Sequence, residues 1–444
     1  MMQNRQAIIT IAGGGSSYTP GIIQAILHNA DRLPVKELRL YDIDAQRNED
    51  MQLIIDFMLK QEGHADVKLV ATLDPKEAFT DVDFVFTQIR VGGMDMRSTD
   101  EKIPLKYGLV GQETCGLGGF AYGLRTIGRI LELAGWIQEY APNAWMLNYT
   151  NPESIVAEAI RRSYPDAKII NACDMTISLE ETIARNYGYD RKNWISTYYG
   201  LNHFGWYSEI YDKSLGRDIM PELIQKLNEQ DLEVADFNEG DTTWQEAFRM
   251  LSVMTRSFSD QIPNNYLEYY LYPDMVVEKA DKTITRADMI KEGREKNTRE
   301  MAEKIRAGQK ESVLQFNFGE HGQYIVDMAT SLRNDERQRF MLIVPNNGSI
   351  PNLRPDATVE VPAYVGATGV EAIALKKPIC DFHKGLMEAQ NAAEKLLVDA
   401  YFENSYQKAL QAFTLNQSVP SARVAKQVLD EMIVANKDYW PILR

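Results

Sequence analysis

An α/β fold is what this sequence predicts: a doubly wound parallel sheet in the first half, then a mostly helical α+β second domain. Three observations carry the prediction. A continuous β-prone run, Ala7-Ile8-Ile9-Thr10-Ile11-Ala12, breaks off into Gly13-Gly14-Gly15-Ser16-Ser17 directly before an apolar periodic segment that begins near Pro20. Short apolar strands then alternate with helical segments, the pattern of βαβ units. From about residue 207 the helices lengthen and strands become fewer, which divides the chain into 1–206 and 207–444.

The first strand is apolar throughout, as a strand buried on both faces must be. Strand, glycine turn and helix in that order are the setting of a Rossmann-like dinucleotide fingerprint. Gly13, Gly14, Gly15 and Ser16 let a backbone approach a pyrophosphate, and free N–H groups at the helix start can bind it. Tyr18 stands where the usual third glycine would be, and a simple tight turn would read much the same. The second strand, Glu37-Leu38-Arg39-Leu40-Tyr41, ends in Asp42. A carboxylate there can accept from the adenosine ribose hydroxyls and would repel a 2′-phosphate, which favours NAD over NADP. The competing role for Asp42 is an Asx turn or a helix cap.

Val67-Lys68-Leu69-Val70 and Asp83-Phe84-Val85-Phe86-Thr87-Gln88 read as further strands. Two loops follow. Ile89 to Arg97 carries Arg90 and Arg97, and Gly111 to Gly119 is glycine-rich and holds Glu113. A helix is expected from about Gly123 to Tyr140, then a strand, Ala144 to Asn148. Asn151-Pro152-Glu153 has the order of a helix start: an N-cap asparagine, proline at the first position and a carboxylate in the first turn. The run Ala167 to Ile170 leads into Asn171-Ala172-Cys173-Asp174-Met175. Ligands bind beyond the carboxyl ends of parallel strands, so a thiol beside a carboxylate at this point suggests chemistry, although a buried cysteine is also a common core residue. Ser178-Leu179-Glu180-Glu181 has the capping-box pattern of a helix that ends near Gly188. Trp194 to Tyr199 reads as a strand, and Gly200 to Trp206 as a turn that holds His203, one of five histidines. In the second half, Pro263 to Tyr270 is aromatic-rich, Thr285-Arg286 precedes a charged helix, Phe340 to Val344 and Thr358 to Val361 are strands, and Gly385 to Phe402 and Ala422 to Ala435 are amphipathic helices.

Composition narrows the function. A net charge of −15 argues against nucleic acid or an anionic membrane as partner. It leaves room for an anionic small substrate, because surface charge is screened within ~8 Å at physiological salt. Cys115, Cys173 and Cys380 are odd in number and far apart, which is no disulfide framework and fits a reducing cytoplasm. The apolar run near the amino terminus is too short for a signal peptide, and no stretch is long enough to span a bilayer.

Taken together, these stretches resemble glycoside hydrolase family 4, the NAD- and metal-dependent glycosidases, which are an exception to two-carboxylate glycoside hydrolysis. The resemblance runs nearly end to end. It rests on Ile11 to Ser16, Ile89 to Gly92 with Met96-Arg97, Ile103 to Gly108, Gly111 to Gly116, Asn148 to Pro152, Cys173-Asp174-Met175, Tyr199 to Trp206, Tyr266 in its aromatic stretch, and Ala435 to Pro441. Within the family it is greatest to members that act on 6-phospho-α-glucosides such as maltose 6′-phosphate. Asp174 agrees with that type, since β-type members carry asparagine there; Thr176 departs from it, standing where the α-type pattern has proline.

The resemblance implies NAD and a divalent metal, usually Mn²⁺, as cofactors. It implies hydride removal at C3 of the sugar, proton removal at C2, elimination of the glycosidic oxygen, addition of water and return of the hydride. Cys173 and His203 match the metal ligands, Tyr266 the base and Asp174 the acid. Arg97, Asn151 and Arg286 match residues of the substrate site, and a guanidinium fork suits a sugar 6-phosphate. By softness alone, a thiolate–imidazole pair would favour zinc. The implied partner is a phosphorylated disaccharide or glucoside, and a homodimer or homotetramer is expected. The rival readings are a 6-phospho-β-glucosidase of the same family, a metal-free dehydrogenase of the lactate/malate kind that would release NADH, and a catalytically silent binding protein.

Overall fold

The computed structural model describes residues 5–232, 242–258, 260–309 and 321–444. Thirteen strands lie in one sheet: β1 (Ala7–Ala12), β2 (Val35–Tyr41), β3 (Lys68–Thr72), β4 (Phe84–Thr87), β5 (Trp145–Asn148), β6 (Ile169–Ala172), β7 (Trp194–Leu201), β8 (Phe204–Asp212), β9 (Arg217–Asp218), β10 (Ile262–Pro263), β11 (Gln338–Pro345), β12 (Thr358–Gly366) and β13 (Gly369–Ala372). The first six run parallel in the order β3-β2-β1-β4-β5-β6. That is the doubly wound dinucleotide-binding order, with its switch point between β1 and β4. Beyond β6 the sheet continues antiparallel as β11-β12-β7-β8-β10. The second half thus extends the sheet of the first, and β8 runs through residue 206.

Both faces are covered, which is why β1 and β4 are buried at every position. On one face Ile23, Ile26, Ile54, Ile55 and Met58 meet Val326 and Ala329 from helix His321–Asn334. On the other, Phe79, Ile130, Leu133, Ile137, Val156 and Ile160 pack together. Helices Asp381–Glu403, Tyr406–Leu415 and Ala422–Ala435 cover the outer side of helix Gly116–Tyr140 through Leu397, Phe413, Val428 and Leu429.

Four local expectations change. The segment from Ile89 to Arg97 is not all loop: a helix runs Gly93–Lys106 and places Arg97 on its buried face. The glycine-rich loop ends at Cys115, because Gly116 opens the helix to Tyr140 seven residues earlier than expected. There Gly118 and Gly119 let the helix lie against the carbonyls of Asp100 and Thr114, where a Cβ would come within 2.7 Å and 2.5 Å. Asn151 lies one residue before the N-cap of its helix, which is Pro152. The helix after Cys173 starts at Met175, not at Ser178, so no capping box forms and Asp174 is the N-cap residue. Thr176 is then the second helical residue, a position whose N–H lacks an intrahelical partner, so proline and threonine are both accommodated.

Candidate active site

The carboxyl ends of β1, β2, β4, β5 and β6 bring the predicted residues to one edge of the sheet. After β1, the amides of Gly13 and Gly14 donate to the Tyr41 carbonyl at 2.9 and 2.8 Å. A Cβ on Gly13 would lie 2.6 Å from the Gln88 carbonyl oxygen, and Gly13 has φ of 85°, so glycine is required there. Asp42 fills two roles in this turn: Oδ2 accepts from the Gly15 amide at 2.8 Å, and Oδ1 accepts from Asp44 in an Asx turn. Arg47 donates to the Gly15 carbonyl at 3.1 Å and pairs with Glu295, while the Arg294 guanidinium lies over the Tyr18 ring, 4.4 Å from its centroid. The turn is therefore held from both halves of the chain.

At the end of β6, Cys173 is buried and Asp174 half-buried. The β7–β8 hairpin delivers His203. Gly200 and Gly205 face each other across it, each with no room for a Cβ, and His203 adopts a left-handed φ of 63° at the turn. A positive φ at a non-glycine residue is a feature that concentrates at functional sites. Cys173 Sγ and His203 Nε2 are 3.3 Å apart. Tyr266 joins them because β10 pairs with β8 and the Asn264 amide donates to Gly205 at 2.8 Å. The Asn264 side chain then accepts from the Tyr266 amide at 2.9 Å. The Tyr266 ring stands edge-on to His203 at 4.8 Å.

A second group is cationic. Arg286 hydrogen-bonds the Tyr266 hydroxyl. Arg90 and Arg97 both reach Glu113 Oε2, at 2.7 and 3.0 Å. Arg97 is 4% exposed and also donates to Glu101 at 2.8 Å. Burial alone would push Glu113 up; the guanidiniums of Arg90, Arg97 and Arg286 outweigh it and hold the carboxyl at about 2.

Burial governs the remaining groups. It pushes the Cys173 thiol well above its ordinary range, with Asp174 and Glu360 adding to the effect. It lowers His203 to about 4, so the imidazole is neutral and free to ligate. It raises the Tyr266 hydroxyl, against the pull of Arg286. Two donors 3.3 Å apart can share one ion at ~2.0–2.3 Å each, and a cation would reverse the upward shift of the thiol. Among the described residues no group of three or more His, Cys, Asp and Glu side chains surrounds a common point. Two protein donors leave coordination positions for a ligand, as a catalytic rather than a closed structural site requires.

Several buried side-chain atoms on these segments have no partner among the described residues: Asn151 Oδ1, the Tyr149 hydroxyl and both amide atoms of Asn265. Each such atom costs about 1–3 kcal/mol unless a ligand or water meets it, and a hydroxyl-rich ligand supplies such partners. Asn148, by contrast, is committed: it donates to Glu153 and Asn171 and accepts from the Thr150 amide. The sequence alone gives no role to Glu101 or Glu360. Glu360 is a lone carboxylate in an apolar strand, a signal that was legible. Glu101 stands four residues after Arg97, a pairing visible only once the segment is recognised as helix.

Comparison with known proteins identifies the family. The sequence profile described as Family 4 glycosyl hydrolase matches residues 8–188, and that of the Family 4 glycosyl hydrolase C-terminal domain matches residues 198–419. The maltose-6′-phosphate glucosidase MalH of Clostridium acetobutylicum is 47% identical over 438 residues, covering 98% of this chain and 99% of that protein. Two crystal structures of 6-phospho-α-glucosidases from gut microorganisms superpose over 99% of this chain and 100% of theirs. One, in complex with NAD and Mn²⁺, gives a TM-score of 0.96 at 38% identity. The other, in complex with NAD and glucose 6-phosphate, gives 0.95 at 44%.

Proposed function

The chain belongs to the family 4 glycosyl hydrolases, and from that premise we propose that it hydrolyses 6-phospho-α-glucosides such as maltose 6′-phosphate with NAD and a divalent metal. The observation that carries the reading is the convergence of Cys173, His203 and Tyr266, with Asp174 next to Cys173 in the chain, beside a buried arginine cluster. The likeness to α-type relatives supports the anomer, as does Asp174.

Cys173 and His203 would hold the metal, and the turn Gly13-Gly14-Gly15-Ser16 with Asp42 would hold NAD. When bound, NAD supplies the acceptor for the hydride that leaves C3 of the sugar, and the divalent ion supplies the charge that acidifies C2. Arg97, through Nη2, and Arg286 bind the 6-phosphate, whose oxygens accept charge-assisted hydrogen bonds from guanidinium nitrogens. Asn151 offers its unpartnered Oδ1 to a sugar hydroxyl. Tyr266 removes the C2 proton: its hydroxyl adjoins Arg286, whose charge favours the anion against the effect of burial. Asp174, at the mouth of its helix, delivers a proton to the departing glycosidic oxygen. General acid and base groups of this kind contribute about 10²–10⁴-fold each.

Residues 1–206 hold the cofactor in this reading and 207–444 complete the substrate site and the oligomer, a homodimer or homotetramer that sedimentation equilibrium would test. No helix among the described residues is long and apolar enough to cross a membrane. Three free cysteines support a cytoplasmic setting.

The test is hydrolysis in D₂O. Glucose 6-phosphate that carries deuterium at C2, with the label lost in Y266F, supports proton removal at C2 by Tyr266. Product without deuterium at C2 would refute it.

A further inference from the structure

Glu101 is 1% exposed, and its two oxygens are divided between the two halves of the chain. Oε1 accepts from Arg97 Nε at 2.8 Å. Oε2 accepts from the backbone amide of Ala287 at 2.9 Å, the residue after Arg286. One carboxylate therefore sets the side chain of one arginine and the backbone beneath the other. Its surroundings limit the alternatives. Thr285 and Asp288 close the start of the helix that carries Arg286 with a capping box. Asp288 also meets Ser98 at 3.1 Å and Lys102 at 2.8 Å from the same helix as Glu101. The helix Gly93–Lys106 and the segment at 285–288 are thus clamped from two sides, and Glu101 is the buried jaw. Glu113 anchors Arg97 Nη1 from the opposite side at 3.0 Å, which leaves Nη2 as the Arg97 nitrogen with no partner among the described residues.

We propose that Glu101 is a positioning residue for the sugar-phosphate site: it fixes Arg97 and Arg286 in one arrangement before substrate arrives. This rests on the reading of Arg97 and Arg286 as the phosphate-binding pair. Arginine is a long, rotamer-rich side chain, and the ordering of two of them on binding would otherwise be subtracted from affinity. A carboxylate can accept from both donors at once. A glutamine can accept from only one, and its NH₂ group would oppose the other donor. Aspartate keeps the charge but is one methylene shorter, so it cannot span both.

The experiment compares wild type, E101Q, E101D and R97A, each loaded with NAD and Mn²⁺, on p-nitrophenyl α-glucoside 6-phosphate, with NAD affinity measured in parallel. The expected result for both Glu101 variants is a KM at least 10-fold higher with kcat within threefold of wild type and the Kd for NAD within twofold. A calorimetric Kd for glucose 6-phosphate should weaken by the same factor as KM rises. A KM unchanged in E101Q and E101D while R97A raises it overturns the role of Glu101 and leaves the phosphate site standing. A KM unchanged in R97A removes the phosphate-site reading itself. Loss of NAD and glucose 6-phosphate binding together in both Glu101 variants makes Glu101 a prop of the whole fold and equally overturns the proposal.

Discussion

Replacing Glu113 by glutamine removes a carboxylate that three arginines, Arg90, Arg97 and Arg286, act on together. Glutamine mimics the protonated acid, so the size of the effect follows from the carboxyl's own titration. Burial disfavours the anion, yet the guanidiniums bring the value down from 4.5 to about 2. At 1.36 kcal/mol per pKa unit this amounts to about 3 kcal/mol of stability that E113Q lacks at pH 7. The side chain is 14% exposed, so solvent screening takes little of it. An unfolding entropy of about 2.1 cal/mol/K per residue gives about 0.9 kcal/mol/K for this chain, so Tm should fall by about 3–4 °C. The sign with pH is fixed: a depressed carboxyl contributes fully above 4.5, and the contribution is lost as pH falls toward about 2. Thermal melts of both proteins should therefore show a gap that is nearly constant from pH 7 to 5 and narrower by about 1 kcal/mol at pH 3.5. An E113Q protein as stable as wild type at pH 7, or a gap independent of pH down to 3.5, would show that the arginines do not act on Glu113 as the structure indicates.

Other consequences follow the same physics. Glu360 is buried, and burial pushes it up to about 8 against the opposing pull of Asn202. A raised carboxyl contributes stability below 4.5 that is lost as pH rises through about 8, so E360Q should gain on wild type in Tm between pH 5 and 8; a flat difference would contradict the burial argument. Glu295 holds Arg47 against the Gly15 carbonyl, so E295Q should weaken NAD binding severalfold in a fluorescence titration and leave the KM for the phosphorylated glucoside unchanged. C173S and H203A should each retain too little metal to detect by mass spectrometry after gel filtration and should lower hydrolysis by at least ~100-fold. Asp100 and Arg125 form a buried pair, each side chain 1% exposed. Loss of one partner leaves an uncompensated charge, so D100N should cost about 3–5 kcal/mol in denaturant unfolding.

The parallel half of the sheet was readable because local signals suffice there. An unbroken apolar run ended by glycines marks β1 and the turn after it, and Asp42 follows β2 as the pattern requires. The antiparallel continuation was not readable. Nothing within Phe340 to Val344 or Thr358 to Val361 says that these strands join β6 and β7, since that pairing depends on contacts between distant parts of the chain. Helix boundaries failed where tertiary packing overrides propensity. Gly116 and Gly118 read as loop, but the helix opens at Gly116 with a left-handed φ of 62° and needs Gly118 to have no side chain in order to lie against the Asp100 carbonyl. Ser178 offered a capping box, yet the chain turns helical three residues earlier and brings Asp174 to its mouth. Of the site, Cys173, His203 and Tyr266 were legible through resemblance, and the structure explains their meeting by the β7–β8 hairpin and β10. Glu101 was hidden because Arg97 was assigned to a loop, where i,i+4 spacing carries no meaning.

The most direct test of the central claim is release of p-nitrophenol from the α- and β-anomers of p-nitrophenyl glucoside 6-phosphate, with NAD⁺ and Mn²⁺ present and with each omitted in turn. Hydrolysis of the α-anomer that requires both and accumulates no NADH is the result this account predicts. Hydrolysis of the β-anomer instead would keep the chemistry and show that Asp174 does not set the anomer. Activity on neither glycoside would contradict the account, and NADH that accumulates on a hydroxy acid would mark a dehydrogenase.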